Sequence, residues 1–129
     1  MQVYPSQAAK QEIALFQLIS ANMNITTDQA FTKLLSFTNF LITRIRALNS
    51  SGNLTTAAGG IYTAAAKGGN AIVAAGQAYA TLTGSTIGLD LTLAAVGAGL
   101  QTATPILSLT TGQGSAMTCD MYIMGVPLS

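Results

Sequence analysis

The stretch from Leu54 to Tyr79, LTTAAGGIYTAAAKGGNAIVAAGQAY, admits two incompatible folds, and the choice between them sets the class of the whole chain. Its alanines favour a helix. Its glycine pairs, Gly59-Gly60 and Gly68-Gly69, oppose one, because each Gly inside a helix costs about 1 kcal/mol relative to Ala. Between and after the pairs sit Ile61, Tyr62, Thr63, Ile72 and Val73, residue types that favour strands. Lys67-Gly68-Gly69-Asn70 is turn chemistry, since Gly and Asn tolerate positive φ. The better reading is a two-stranded hairpin, with 54–66 paired to 71–82; a helix is the alternative.

The rest of the chain repeats this choice. Gln11 to Ser20 fits a short helix or a strand equally well. Over 31–48, Phe31, Leu34, Leu41, Ile45 and Leu48 trace a helical face. Asp28 suits the start of such a helix, and Arg44, Arg46 and Gly52 suit its end. Against it, Phe37-Thr38-Asn39-Phe40 interrupts the middle, and 40–45 is rich in aromatic and β-branched residues. Local pattern slightly favours the helix. Asn49 to Asn53 is a turn cluster. Leu89, Leu91 and Leu93 alternate with polar residues, as a half-buried strand does. Gly97 to Thr104 reads as a loop, and Pro105 precedes a strand with Leu107 and Leu109 inward. Thr111 to Ser115 turns the chain. Cys119, Met121 and Ile123 then alternate with Asp120, Tyr122 and Met124 until Gly125. Short strands between turn signals predict an all-β fold, an antiparallel β-sandwich of jelly-roll-like type. The runner-up has an α-rich N-terminal third. Residues 1–10, polar with Pro5, read as an extended arm, and 11–129 as one domain.

Charge narrows the function. Charged residues are 7% of the chain, against roughly 25% in ordinary soluble domains. So little charge is a solubility liability for a free monomer and favours a surface covered by other subunits. Only Arg44 and Arg46 are close in sequence, whereas a nucleic-acid binder needs several clustered cations. No nucleic-acid partner is expected. No membrane partner is expected either: the uncharged run 91–119 is broken by Gly97, Gly99, Gln101, Pro105 and Gln113. The start of the chain does not support a secretory signal.

Enzyme chemistry finds little support. With no histidine and one cysteine, His-assisted nucleophiles and His or multi-cysteine metal sites are excluded. Of the four carboxylates, Asp90 and Asp120 are the pair that adjacent strands would bring together, but solvated positions explain them more cheaply. The Gly-rich segments lack the Lys-Ser/Thr and following helix of a phosphate cradle and read as hairpin turns. No catalytic residue, metal or cofactor is expected.

Several segments carry a resemblance: Ala21-Asn22-Met23-Asn24 with Thr27-Asp28-Gln29-Ala30, then Ile42-Thr43-Arg44-Ile45, Asn49-Ser50-Ser51, Leu54 to Tyr62, and Leu107 to Thr111. Together they resemble small virion structural proteins of tailed bacteriophages, over roughly Ala14 to Leu128. They form a sequence style without a catalytic signature. The resemblance implies a β-sandwich on a virus particle, as a capsid decoration or cement subunit, and favours a strand from about Phe40 to Asn49. The partners it implies are copies of the chain itself, a trimer being plausible, and the major capsid protein or other virion proteins. Interface candidates are Ile13, Leu15 and Phe16 with the arm, which are suited to exchange between subunits, and Arg44 and Arg46. Alternatives are a helical coat or sheath subunit and a glycan- or receptor-binding module of a fibre.

Overall fold

The computed structural model describes residues 12–128, so the arm at 1–10 lies outside the described residues. Its strands, in chain order, are β1 (Ile13–Asn22), β2 (Gln29–Ala30), β3 (Thr32–Lys33), β4 (Phe40–Leu48) and β5 (Ala58–Ala64). They continue with β6 (Gly68–Val73), β7 (Gly88–Asp90), β8 (Leu100–Gln101), β9 (Ile106–Thr111) and β10 (Thr118–Pro127). A 3₁₀ turn spans Ala95–Ala98. The strands form two antiparallel sheets packed on one core, an all-β sandwich-like fold. The larger sheet runs β3-β1-β10-β4-β7, with β8 also pairing with β4; the smaller runs β2-β9-β5-β6.

Strand β10 sits between β1 and β4. Its alternation places Cys119, Met121 and Ile123 inward, all fully buried. The strand continues past Gly125 to Pro127 because a bulge lies there: Met124 pairs with Arg44 and Gly125 with Ile42, leaving Thr43 unopposed. A Cβ on Gly125 would fall on the Leu41 carbonyl oxygen. Glycine is therefore required by close approach and does not end the strand.

The described part of the 11–20 segment falls in strand β1, Ile13–Asn22. Irregularities in its pairing with β10, between Ala14 and Phe16 and between Leu18 and Ala21, explain the ambiguous periodicity. Consecutive Leu15 and Phe16 are both buried, which a regular two-residue alternation forbids. The helical pattern over 31–48 is not realised: β3, an irregular segment and β4 take its place. The phenylalanines that interrupt the pattern are fixed by tertiary packing. Phe16, Phe37 and Phe40 meet edge to face, with centroids 5.1 to 5.5 Å apart. Among the described residues the N-terminal third is strand and irregular structure, not the α-rich runner-up.

The 54–82 stretch forms the expected hairpin, with shifted boundaries. The turn is Ala65–Gly68, closed by Gly68 N–H donating to Ala65 O at 3.0 Å, and not Lys67–Asn70. Its central residues, Ala66 (φ 56) and Lys67 (φ 59), are both left-handed, as a twisted hairpin's tight turn demands. Gly68 and Gly69 lie on the return strand. That strand ends at Val73, and beyond a turn at 74–77 only Ala78 bridges back to Ala58. The first glycine pair also marks no turn. It lies inside β5, where a Cβ on Gly59 would fall on Leu109 Cα and one on Gly60 on the Val73 carbonyl oxygen.

Near 89–93 the expected strand is short. β7 ends at Asp90; Leu91 N–H then donates to Ile45 O at 2.8 Å, while Leu93 bridges Val73 in the other sheet. The chain crosses between sheets here, with Leu91 buried and Leu89 and Leu93 packed on the core. The loop expected at 97–104 contains the end of the 3₁₀ turn and strand β8. Strand β9 buries Leu107 and Leu109 as expected. It does not form a hairpin with β10, since the two lie in different sheets.

Gly59→Ala and Gly60→Ala each force backbone to move, so each is expected to destabilise by about 1–3 kcal/mol or more. A methyl group on Gly76 would meet nothing within 4 Å, and Gly76→Ala is expected to be neutral or to stabilise by up to about 1 kcal/mol. Urea unfolding of the three variants checks this; equal losses at all three would contradict it.

Candidate functional site

Every charged side chain among the described residues has a partner inside the chain. Nine residues are charged in the sequence; Lys10 lies outside the described residues, leaving eight. Arg44 pairs with Glu12 at 2.8 Å and Arg46 with Asp90 at 2.8 Å. Glu12 also accepts from the Thr43 hydroxyl. Lys33 donates to Phe37 O at 2.7 Å and sits over the Phe37 ring. Asp120 accepts from Ser20 N–H at 2.8 Å and from Asn49 Nδ2 at 2.9 Å. Asp28 and Lys67 belong to the cluster described next. Both ion pairs are substantially exposed and each contributes about 0–1 kcal/mol. Their larger effect is on the surface, which is left with little unsatisfied charge.

Asp90 and Asp120 do not meet on adjacent strands. β7 and β10 flank β4 on opposite sides, and each carboxylate is held by its own partners.

A depression with a volume of about 560 Å³ is lined by Thr26, Thr27, Asp28, Ala66, Lys67 and Ser108. It forms where the β5–β6 turn meets the segment before β2. Asp28 Oδ2 accepts from Ala66 N–H at 2.8 Å. Lys67 Nζ donates to Thr26 O at 3.1 Å and to the Ser108 hydroxyl at 2.9 Å. These bonds hold two non-glycine residues in the left-handed region, which ordinarily costs about 1–2 kcal/mol per residue. The hydrogen bonds from Ala66 N–H and the buried Ser108, aided by the Lys67 charge, hold the Asp28 carboxyl below its ordinary value of 3.8.

A serine hydroxyl beside a lysine amine is a known nucleophile–base arrangement. Here Lys67 Nζ donates to both the Thr26 carbonyl and the Ser108 hydroxyl. An amine that donates to the serine oxygen is not placed to accept the serine proton. The cluster is a clamp that ties the hairpin turn to the neighbouring loop.

The second region is the outward face of the larger sheet. Of the sequence-derived candidates, Leu15 and Phe16 are fully buried in the core and Ile13 packs against it. In this fold they could meet another copy only by exchange of β1. Arg44 and Arg46 both project outward from β4, as their spacing predicts, and both are paired within the chain. Sequence reasoning missed their neighbours. On β10 the outward residues after Asp120 are Tyr122, Met124 and Val126, all partly exposed. Val126 pairs with Leu41, and Leu41 with Leu100, so three apolar side chains stand side by side across three strands. Leu100 is 60% exposed. The run Met121-Tyr122-Ile123-Met124-Gly125-Val126 carried the signal, because near-continuous apolarity marks a strand covered on both faces.

Burial pushes the Cys119 thiol up to about 12, with the Asp120 charge adding to it. A thiol so placed is unreactive at neutral pH. Burial likewise raises the Tyr79 phenol, whose hydroxyl donates to Gly59 O at 3.2 Å. No group of three or more His, Cys, Asp or Glu side chains suited to a metal occurs among the described residues. None of their helices is long and apolar enough to cross a membrane.

The fold and these two regions define an all-β sandwich-like protein whose described charges are each ion-paired or hydrogen-bonded within the chain, with an apolar end to the outer face of its larger sheet. No protein-family model, curated protein sequence or solved structure matches the chain.

Because the folded-state value of Asp28 is depressed, its stabilisation is full above pH 3.8 and is lost as pH falls through the lower folded value. Asp28→Asn is expected to be less stable at pH 7 and to show a shallower loss of stability below pH 4 (roughly the unperturbed Asp value). Thermal melts across pH 2–7 (the usual carboxylate range and above) check this; parallel acid limbs in the two proteins would contradict it.

Proposed function

We propose that this chain is a structural subunit of a bacteriophage virion, a capsid decoration or cement protein that associates with copies of itself and binds the shell. The observation that carries this reading is the disposal of charge: the eight described charges are engaged within the chain while Tyr122, Met124, Val126, Leu41 and Leu100 stand on the outer sheet face. A freely diffusing protein keeps unpaired charge outside and apolar side chains inside. Permanent interfaces are apolar and bury large areas. The resemblance of the segments around Asn22, Arg44, Gly60 and Leu109 to small phage virion proteins supplies the kind of particle.

A cement subunit stabilises a shell by binding its assembled form, so its effect follows mass action. Particles lacking the protein are expected to release their nucleic acid at a lower temperature than complete ones, and adding the purified protein should restore the higher value. Immunolabelling of purified particles should place it on the outer shell. Absence from particles, or identical heat release with and without it, would contradict the proposal.

A further inference from the structure

The outward face of β10, β4 and β8 breaks the rule that an antiparallel sheet turns polar residues to solvent. Met124 and Val126 form a row on β10, Leu41 and Leu100 extend it sideways, and Leu128, 50% exposed, follows at the strand's end. Strand β9 in the other sheet carries polar residues on its outward side, Thr110 exposed and Ser108 covered by Lys67, while Leu107 and Leu109 point into the core. The anomaly is confined to one end of one sheet.

We propose that this face packs against the same face of a second copy of the chain. The inference rests on the reading that copies of the protein meet on a particle, and it names the surface through which they do so. Charge selects the occupant. The patch itself carries none, and the nearest charges, Arg44 and Glu12, neutralise each other at 2.8 Å. A nucleic acid, an anionic lipid surface or a strongly charged peptide finds no counter-charge to engage. A partner must present an equally neutral and apolar surface, and the chain carries such a face. In a two-fold arrangement each copy also brings one Arg44–Glu12 pair to the rim, so opposite signs can oppose each other without desolvating an unpaired charge.

The test is sedimentation velocity of the full chain over a wide concentration range, with Leu100→Glu and Leu128→Glu as interface variants and Ile87→Glu as control. Ile87 is 85% exposed and precedes β7, whose pairing with β4 lies at Arg46–Leu48, away from the patch. The natural chain is expected to form dimers or even-numbered assemblies of them. Each interface variant is expected to weaken association at least about thirtyfold while keeping its circular dichroism, and the control to leave it unchanged. Leu100→Ser, expected to weaken association in the same direction, keeps the test valid should the glutamates impair folding. A monomeric natural chain, a trimer, interface variants that associate normally, or a control that dissociates equally would each overturn the proposal. So would dissociation caused by removing residues 1–11 when the patch variants have no effect. Particle incorporation of the same variants separates the two readings. Incorporation without self-association overturns this contact alone; self-association through this face without incorporation overturns the virion reading alone.

Discussion

Strand β10 is the element on which the larger sheet depends. It comes last among the strands yet lies between β1 and β4, and it pairs with both along most of its length. Its inward row, Cys119, Met121 and Ile123, closes the core against the other sheet. Its outward row, Tyr122, Met124 and Val126, is also apolar or aromatic. A strand of this composition is most stable when both of its faces are covered. The fold covers one face; the proposed contact between copies would cover the other. The larger sheet cannot complete its pairing until this C-terminal strand is in place, since nothing else joins β1 to β4.

The treatment of charge follows from the same constraint. A sheet face intended for burial tolerates a charged residue only when that residue is already paired, because an unpaired charge taken out of water is costly. Arg44 and Arg46 stand on β4 beside the Met124 and Tyr122 end of the outward row, at the rim of the apolar patch, and each has a carboxylate partner 2.8 Å away. The remaining cluster, Asp28, Lys67 and Ser108, is spent on local geometry. It holds Ala66 and Lys67 in left-handed conformations that a glycine or asparagine would adopt more readily. The chain thus uses its few charges as internal fasteners.

Much of the fold was legible in the sequence for identifiable reasons. The paired glycines and β-branched residues of 54–82 made a hairpin, and the alternation at 107–109 and 119–123 marked inward rows, all of which appear. The errors also have causes. Gly59, Gly60 and Gly125 read as punctuation, whereas they are places where another backbone passes too close for a Cβ; nothing local distinguishes the two uses. The turn moved to Ala66-Lys67 because Asp28, distant in sequence, accepts the Ala66 N–H. The helical spacing at 31–48 was coincidental: Phe31 and Ile45 are buried from separate segments while Leu34 is exposed, and the interrupting Phe37 and Phe40 pack on Phe16. Of the candidate surface, Arg44 and Arg46 were visible as a spaced pair, but Leu41 and Leu100 became neighbours only through β-sheet register.

If the outward row of β10 is an internal surface of an assembly, its methyl groups must lie against those of another copy. An isotope-filtered NOE experiment on assemblies mixed from differently labelled copies measures this. Intermolecular contacts are expected from the Met124 methyl and the Leu100 and Val126 methyls to the same residues of another copy. Absence of those contacts, with the same methyls accessible to a soluble paramagnetic probe in the assembled protein, would contradict burial of this face.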